Sequence, residues 1–237
     1  MIGARRGMGG PGGMNPLLII GLLLLGYAFI TGSLFAPVRD PIQFVAFAIA
    51  IILGITVHEF MHAYAAHRLG DDTARLLGRL SLNPMAHLDP FGTLLLVLAG
   101  FGYGKPVPFN ESRLRTTFGV TLVALAGPLA NVLLAAIFAL PLRFGSAAAL
   151  GDIYETILVY IVQMNCILAI FNLIPIPPLD GSNVVYGLLP PRQQYSWRTF
   201  QQYGPFLLLA VLLLAPRILT ALVFGPARAL TSFLIGG

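Results

Sequence analysis

Five long apolar segments limit this chain to folds that can place such segments in lipid. Along the sequence they cover residues 17–35, 42–69, 117–142, 153–173 and 206–224. About 20 apolar residues in a helix are enough to cross the hydrocarbon layer of a bilayer. The 237-residue chain is 57% hydrophobic and 10% charged, whereas soluble domains carry about 25% charged residues. We therefore predict an all-α polytopic membrane protein, a bundle of five to six transmembrane helices.

The two ends of the chain allow more than one interpretation. Residues 1–15 are rich in glycine and predict a disordered tail, followed by a single membrane-embedded domain over residues 16–237. Arg5 and Arg6 precede an apolar run, as in a signal peptide, but no small-residue cleavage site follows, so we predict a retained helix. Pro216 should kink or end the fifth segment. Residues 217–235 could form a sixth crossing or an interfacial helix, because Pro226 and Arg228 interrupt them.

Residues 71–116, between the second and third segments, are neither a simple loop nor a membrane span. Their apolar stretch 94–99 has about half the length that a bilayer requires. Segment 105–110, interrupted by Pro106 and Pro108, is typical of an edge strand or an extended chain. Irregular backbone at membrane depth is tolerated only against protein or a water-filled cavity. We therefore predict a short re-entrant β or loop region that lines a site.

Positively charged residues lie mostly at one end of the predicted helices. At that end are Arg5, Arg6, Arg68, Arg75, Arg79, Lys105, Arg113, Arg115, Arg192 and Arg198, and at the opposite end only Arg39 and Arg143. Because cytoplasmic loops carry an excess of Lys and Arg, this bias predicts a multi-pass cell-membrane protein with its N-terminus in the cytoplasm. The net charge of +5 is spread over loops and does not indicate nucleic-acid binding.

The second apolar segment contains His58-Glu59-Phe60-Met61-His62. Ionisable residues are costly at membrane depth and therefore mark functional sites there. In a helix the two histidines lie one turn apart on one face, which is the spacing that a single zinc ion needs, and Glu59 is placed to activate a water molecule. The pattern predicts zinc-dependent hydrolysis within the bilayer, in its cytoplasmic half.

A catalytic zinc site needs a third protein ligand and one open position. The chain has only nine acidic residues, and Asp180 stands out among them because it follows Pro175, Pro177 and Pro178. These prolines should unwind the chain after the fourth segment. A carboxylate at a broken helix end can reach into a packed bundle, and Gly181 permits a sharp turn or a close approach beside it.

The pentad, together with Asn172-x-x-Pro175-x-Pro177-Pro178-Leu179-Asp180-Gly181, resembles the site-2 protease family of intramembrane zinc metalloproteases. Four stretches add to the resemblance, namely Gly70-Asp71, Asn83-Pro84-x-x-His87-x-Asp89-Pro90-x-Gly92, Gly104-Lys105-Pro106-Val107-Pro108 and Ala126-Gly127-Pro128-x-x-Asn131. The resemblance covers about residues 57–181, in a compact form without a PDZ or CBS domain. It implies one zinc ion per chain held by His58, His62 and Asp180, with Glu59 as the catalytic base. It also implies a three-helix catalytic core over about residues 42–181.

Several further residues could act in catalysis or serve the structure alone. Asn172 is the first candidate for a side-chain donor to the developing negative charge on the substrate carbonyl, but it could equally bridge helices. Asn131 is more often a helix bridge than a substrate ligand. His67 should point away from the ligand face, and His87 should make a structural hydrogen bond. Cys166 is predicted to be a buried, inert thiol.

Three functions compete for this pattern. The first is an endopeptidase acting in or near transmembrane segments of membrane protein substrates in the lipid bilayer, as in regulated intramembrane proteolysis. A metal transporter would favour polar residues across the whole membrane and repeated halves, whereas the sequence shows one polar cluster and no repeat. A catalytically inactive scaffold would be expected to lack Glu59. The sequence therefore favours the peptidase and assigns no oligomeric state.

Overall fold

The structure, a computed structural model, describes residues 40–90, 92–93, 104–145 and 151–237. Three helices in this part of the chain are long and apolar enough to cross a membrane: α1 (Pro41–Arg68), α2 (Gly119–Arg143) and α3 (Asp152–Asn172). They correspond to the second, third and fourth apolar segments. The prediction of an all-α membrane protein is confirmed, whereas the predicted tail 1–15, segment 17–35 and stretch 94–99 lie outside the described residues.

Helix α1 begins and ends at residues that suit a helix terminus. The Asp40 carboxylate accepts hydrogen bonds from the backbone N–H groups of Ile42 (2.9 Å) and Gln43 (3.1 Å). After Arg68 the chain leaves the helix through Gly70, whose φ of +109° is a conformation that glycine adopts readily. The histidines of the pentad therefore lie on one continuous helix of 28 residues, nearer to its Arg68 end.

Helices α1, α2 and α3 pack against one another in all three pairings. The contacts are made through small side chains that are at most 1% exposed: Ala46, Ala50 and Ala63 on α1, Ala135 and Ala139 on α2, and Ala169 on α3. Small residues let membrane helices approach closely. The close approach brings polar side chains in the interior of the three helices within hydrogen-bonding distance.

Four shorter helices follow: α4 (Asp180–Leu188), α5 (Pro191–Gln201), α6 (Gly204–Leu214) and α7 (Pro216–Ile235). The predicted fifth segment is divided between α6 and α7, and the break lies at Pro216, where the proline indicated it. Pro226 lies inside α7 without ending it. Whether α7 completes a further crossing stays a prediction, because the described residues contain three helices that satisfy both length and hydropathy.

Helix α7 packs along α2 and α3. Cys166 and Val162 of α3 form a buried cluster with Ala227 of α7, and the same cluster includes Ala135 of α2. Near the end of α2, the Arg143 guanidinium donates to the carbonyl oxygen of residue 233 at 2.8 Å. The C-terminal end of α7 is therefore level with the C-terminal end of α2. As predicted, Cys166 is buried and free.

The described part of the connection between α1 and α2 includes a helical turn (Thr73–Leu76) and the 3₁₀ turns Pro84–Ala86 and Glu111–Arg113. Asp71 is fully buried and accepts hydrogen bonds from the Thr73 hydroxyl (2.6 Å) and from the backbone N–H of Asn110 (2.5 Å). This buried carboxylate attaches the far part of the connection to the end of α1.

The expected edge strand over residues 105–110 takes a simpler form. Those residues run without helix, and next to them Leu88 and Gly104 form an isolated antiparallel bridge. Pro106 and Pro108 have no N–H group to donate to a strand ladder, so no strand forms among the described residues. The re-entrant β region stays a prediction.

Candidate metal centre and active site

Two buried histidines of α1 face α2 and the start of α4. His58 and His62 are each 7% exposed, and their Nε2 atoms lie 3.0 Å apart. Because four residues make slightly more than one helical turn, the two rings lie above one another on a single helix face. The histidine spacing in the sequence thus becomes a pair of ring nitrogens aimed at the same point.

Asp180 reaches that point from a different part of the chain. Helix α3 ends at Asn172, and α4 begins at Asp180 after a stretch that contains three prolines. A Cβ atom on Gly181 would lie 2.2 Å from the carbonyl oxygen of Leu173, so only glycine lets α4 start so close to the end of α3. The Asp180 Oδ2 atom lies 3.0 Å from His58 Nε2 and 3.2 Å from His62 Nε2.

The protonation of the two rings can be read from their other nitrogens. His62 Nδ1 lies 2.7 Å from the carbonyl oxygen of Val123, which can only accept, so Nδ1 carries the proton. His58 Nδ1 lies 2.6 Å from Asn131 Oδ1, which also accepts. In neutral rings both Nε2 atoms then present lone pairs to Asp180 Oδ2, an atom that is buried and has no hydrogen-bond donor among the described residues.

No proton lies between the two ring nitrogens and the carboxylate oxygen. These three atoms can therefore bind one metal cation. All three ligand atoms lie within 4.8 Å of one another. Imidazole and carboxylate are zinc ligands, and a hydrogen bond from the second ring nitrogen is the usual support for a metal-bound histidine. The donor set is therefore suited to zinc, with three protein ligands and room for a further one.

A chain of amides supports His58 from behind. The Asn131 amide nitrogen donates to the carbonyl oxygen of Gly54 (3.1 Å) and to Asn165 Oδ1 (2.7 Å), while Asn165 itself donates to the carbonyl oxygen of Ile161 (2.8 Å). Both asparagines are fully buried. Hydrogen bonds thus join α1, α2 and α3 directly behind the imidazole ring of His58.

Gly127 on α2 leaves the space that the two imidazoles occupy. A Cβ atom at this position would lie 2.5 Å from His62 Nε2 and 2.7 Å from His58 Nε2. No side chain larger than hydrogen fits there unless the rings move. The glycine of the Ala126-Gly127-Pro128 motif is therefore required by the shape of the metal centre.

Glu59 lies beside the metal centre rather than in it. Its side chain is half-buried and lines a cavity of about 280 Å³ together with His58, His62 and Asp180. Glu59 Oε2 accepts a hydrogen bond from the backbone N–H of Val107 at 3.2 Å. Residues 104–109 form one wall of the same cavity, so the predicted site-lining role of this segment agrees with its position.

Asn172 also lines the cavity, but its amide nitrogen is engaged elsewhere. It donates to the carbonyl oxygen of Leu168, one turn earlier in α3, at 3.0 Å. The remaining predicted residues lie outside the cluster. His67 pairs with Asp72 at 2.6 Å, and the fully buried His87 donates from Nε2 to the carbonyl oxygen of Ser81 at 2.6 Å.

Helix α5 is attached to the helix that carries Asp180. The Trp197 indole donates to the carbonyl oxygen of Ser182 at 3.0 Å. Burial raises the pKa of the Tyr186 hydroxyl, which keeps its proton and donates to Glu111 Oε2 at 3.1 Å. Arg198 of α5 donates to the same hydroxyl oxygen at 2.7 Å. These contacts join α4, α5 and the turn at residue 111 at the side of the metal centre.

Sequence reasoning missed two groups in this site. Asn165 was not recognised, although an amide in the middle of an otherwise apolar segment is itself a signal of a buried polar network. The backbone carbonyl of Val123, which orients His62, has no signal in the sequence because any residue carries a carbonyl.

Comparison with known proteins gives a consistent assignment. The family model described as Peptidase family M50 matches residues 46–148 and 140–215. YwhC of Bacillus subtilis, named as a candidate zinc metalloprotease, is 40% identical over 175 residues, which are 71% of this chain and 80% of YwhC. Two Rip2 proteins with the same description share 29% identity each: over 215 residues (85% of this chain, 80% of the relative) in Mycolicibacterium smegmatis, and over 211 residues (84% and 79%) in Mycobacterium tuberculosis.

No solved structure matches the chain. The family match covers well over half of the sequence and includes both histidines and Asp180. A ligand set suited to zinc, buried among membrane-length helices, is what a metalloprotease of this kind requires. The chain therefore belongs to peptidase family M50 and is a zinc-dependent intramembrane protease.

Proposed function

We propose that His58, His62 and Asp180 hold the zinc ion and that Glu59 transfers the proton during peptide-bond hydrolysis. The observation that supports this most strongly is the meeting of His58 Nε2, His62 Nε2 and Asp180 Oδ2 beside the Glu59 carboxylate. Zinc, when bound, makes water acidic enough to ionise near neutral pH and draws negative charge from a carbonyl oxygen.

The protein groups around the cavity divide the remaining tasks. Glu59 takes a proton from the attacking water on one carboxylate oxygen and passes it to the leaving amide nitrogen. The Val107 N–H group, at 3.2 Å from Oε2, keeps the carboxylate turned toward the cavity. The Nδ1 hydrogen bonds of His58 and His62 hold the rings with Nε2 facing inward throughout.

Asn172 would act as an additional donor to the substrate carbonyl oxygen. Its amide nitrogen carries two N–H donors, and one of them is bound to the Leu168 carbonyl oxygen at 3.0 Å. Such a donor is worth about 2.7–4 kcal/mol when it is aimed at the developing negative charge. The second N–H would serve the substrate while the bond to Leu168 persists, so this role need not cost an existing hydrogen bond.

Substrates would be membrane proteins cleaved in or near a transmembrane segment. The cavity opens among helices of membrane-spanning length, and residues 104–109 form one of its walls. An intact helix shields its peptide bonds, so a substrate segment must unwind before it reaches Glu59. The extended backbone near Val107 offers polar groups to such a segment, in keeping with a re-entrant region that lines the site.

The complete bundle would contain five to six crossings. Segment 17–35 is long enough for one crossing, and α6 and α7 supply apolar residues for the others. His58 lies ten residues before Arg68, at the end of α1 where the positively charged residues collect. The positive-inside rule then places the site in the cytoplasmic half of the cell membrane.

The test is a comparison of zinc content and cleavage in the reconstituted full chain. Glu59→Gln should retain about one zinc ion per chain while the rate of cleavage of a transmembrane peptide falls by about 10²–10⁴-fold, the contribution of general acid–base catalysis. Glu155→Gln, at an exposed position in the first turn of α3, is the matched control and should cleave normally. Normal cleavage by Glu59→Gln would contradict the proposed role.

A further inference from the structure

A second polar cluster lies between α3 and α7, away from the metal centre. It surrounds a cavity of about 350 Å³ whose polar lining comes from Gln163 on α3 and from Arg228, Thr231 and Ser232 on α7. Ile167 and Phe224 form part of its apolar lining. We call this cavity the Arg228 groove. Gln163, Arg228 and Ser232 are exposed, so the groove opens toward the outside of the bundle.

The crossing by α7 proposed above would place the Arg228 groove deep in the membrane, and the inference rests on that crossing. Arg228 precedes Gly236 by eight residues and Gln163 follows Asp152 by eleven, which correspond to about 12 and 16 Å along the helix axes. Gly236 and Asp152 both lie near the end of the bundle that is marked by Arg143. Half of the hydrocarbon layer is about 15 Å thick, so the groove is close to the middle of the bilayer.

At this depth Arg228 has no anion within the chain. The sequence contains nine acidic residues, all of them among the described residues. Glu59 and Asp180 are in the active site. The others lie in the connection between α1 and α2 or at the far ends of α1 and α3: Asp71, Asp72, Asp89, Glu111, Asp40, Asp152 and Glu155. None of the ion pairs among the described residues includes Arg228.

The groups that line the groove suit a carboxylate. The Arg228 guanidinium is a planar fork of N–H donors that matches the two oxygens of a carboxylate, and the Gln163 amide and Ser232 hydroxyl add further donors. A phospholipid phosphate also accepts from arginine, but it normally lies at the membrane surface, more than 10 Å above this level by the depth estimate. A carboxylate in the middle of a transmembrane helix is already at the correct depth.

The surface beside the groove allows a helix to come close. Ala221, Gly225 and Ala229 are exposed and follow one another at four-residue intervals along α7. A Cβ atom on Gly225 would meet nothing within 4 Å. Small residues at this spacing let two membrane helices approach through their backbones. A second copy of this chain is a poor occupant, because a parallel dimer would bring Arg228 toward an identical positive charge and no acidic residue.

We propose that the Arg228 groove binds a transmembrane helix of another membrane protein through an Asp or Glu near the middle of that helix. The carboxylate pairs with Arg228 while the partner helix packs over the small residues of α7. This binding requires no peptide-bond hydrolysis, so it stands or falls independently of the roles proposed for Glu59 and the metal ligands.

The experiment measures binding of designed peptides to the full chain in lipid nanodiscs. The peptides are leucine-rich transmembrane helices with Asp, Asn or Lys at the central position, each labelled with a fluorophore that accepts energy from Trp197. The protein carries Glu59→Gln so that no peptide is consumed. The Asp peptide should bind about tenfold more tightly than the Asn peptide, the size expected for an interhelical polar contact.

Two variants isolate the charge at residue 228. Arg228→Gln should abolish the preference for the Asp peptide, and Arg228→Asp should transfer it to the Lys peptide, with zinc content measured throughout to show that the fold persists. Arg192→Gln, which removes an exposed cation from α5, should keep the wild-type preference.

Equal affinity for the Asp and Asn peptides would overturn the proposal. So would a preference that survives in Arg228→Gln. Native mass spectrometry tests the alternative that the groove binds lipid phosphate. In that case the wild type retains an anionic phospholipid that Arg228→Gln loses, and the Asp peptide does not displace it. This result would show that the proposal is wrong.

Discussion

The part of the chain that the structure describes contains two polar clusters, and they are opposite in character. In the metal centre, His58, His62 and Asp180 present lone pairs to one point, and each histidine is fixed by a buried hydrogen bond. In the Arg228 groove, Gln163, Arg228 and Ser232 are exposed, and no ion pair among the described residues includes Arg228. The first cluster is complementary to a cation held inside the bundle. The second is complementary to an anion brought from outside.

The two clusters also differ in how the chain supports them. Around the metal centre Asn131 and Asn165 are fully buried and satisfy each other across three helices. Buried polar networks that are fully paired hold one arrangement firmly. No such network lies behind Arg228 among the described residues, and Gln163, Arg228 and Ser232 in the lining of the groove are exposed. A rigid, fully paired interior suits catalysis. An exposed surface with an unpaired positive charge suits the binding of another molecule.

Removal of Asp180, the proposed third zinc ligand, is the strongest test of the contrast between the two clusters. Asp180→Asn should lower zinc content from about one ion per chain to less than about a tenth, because two imidazoles alone do not complete a catalytic zinc site. Cleavage should fall to background with it. Zinc is measured by inductively coupled plasma mass spectrometry on protein purified without added metal.

Asp152→Asn is the matched control, since Asp152 is exposed in the first turn of α3. It should keep its zinc. Full zinc occupancy in Asp180→Asn would show that Asp180 is not a ligand.

Disruption of the support behind His58 should have the next largest effect. Asn131→Leu removes the acceptor for His58 Nδ1–H and should weaken zinc binding by about 10–100-fold, as changes next to metal ligands do. Asn131→Asp keeps an acceptor for that N–H group and should bind zinc more tightly than the leucine variant. Competition with a fluorescent chelator gives both affinities, and identical values for the two variants would contradict a role for the acceptor.

The space that Gly127 leaves for the two imidazole rings gives a third test. Gly127→Ala places a methyl group about where the His62 and His58 rings lie, so the rings must shift, at a cost of about 1–3 kcal/mol in the free energy of unfolding. Zinc affinity should fall in parallel. In Gly225→Ala the added methyl group meets nothing within 4 Å, so its effect should be smaller. Denaturant titration and chelator competition measure both effects, and the reverse order would refute the packing argument.

The smallest expected effect concerns the outward-facing cluster. Arg228→Leu should raise the free energy of unfolding by about 1 kcal/mol in the absence of a partner, because the proposed crossing by α7 would hold an unpaired arginine at membrane depth, where it is costly. Thermal or denaturant unfolding in detergent reports the change. A clear loss of stability would mean that Arg228 serves the fold and would remove the contrast with the metal centre.

The meeting of His58, His62 and Asp180 could be predicted because each part of the chain that supplies these residues carries a local signal. The interval between His58 and His62 fixes their common helix face, and the prolines before Asp180 mark the chain break that carries this carboxylate. The three central helices followed from hydropathy for the same reason. Asn165 and the Val123 carbonyl escaped prediction because their importance depends on which helix faces which.

The Arg228 groove, in contrast, could not be predicted from the sequence. In the sequence, Arg228 and Pro226 only weaken the case for a membrane crossing, and the residues indicate a single polar cluster. The structure places Arg228 next to Gln163, which is 65 positions away in the sequence, and neither residue stands in a recognisable motif. Division of the fifth apolar segment at Pro216 made this pairing possible, since the break allows α7 to return along α3.

The most direct test of the central claim is zinc X-ray absorption spectroscopy on the full chain in lipid. The account predicts two imidazole nitrogens and one or more oxygens at about 2.0–2.2 Å, with no sulfur ligand. It also predicts that this spectrum changes or disappears in Asp180→Asn and survives in Glu59→Gln. A spectrum that is the same in Asp180→Asn as in the wild type would contradict the account.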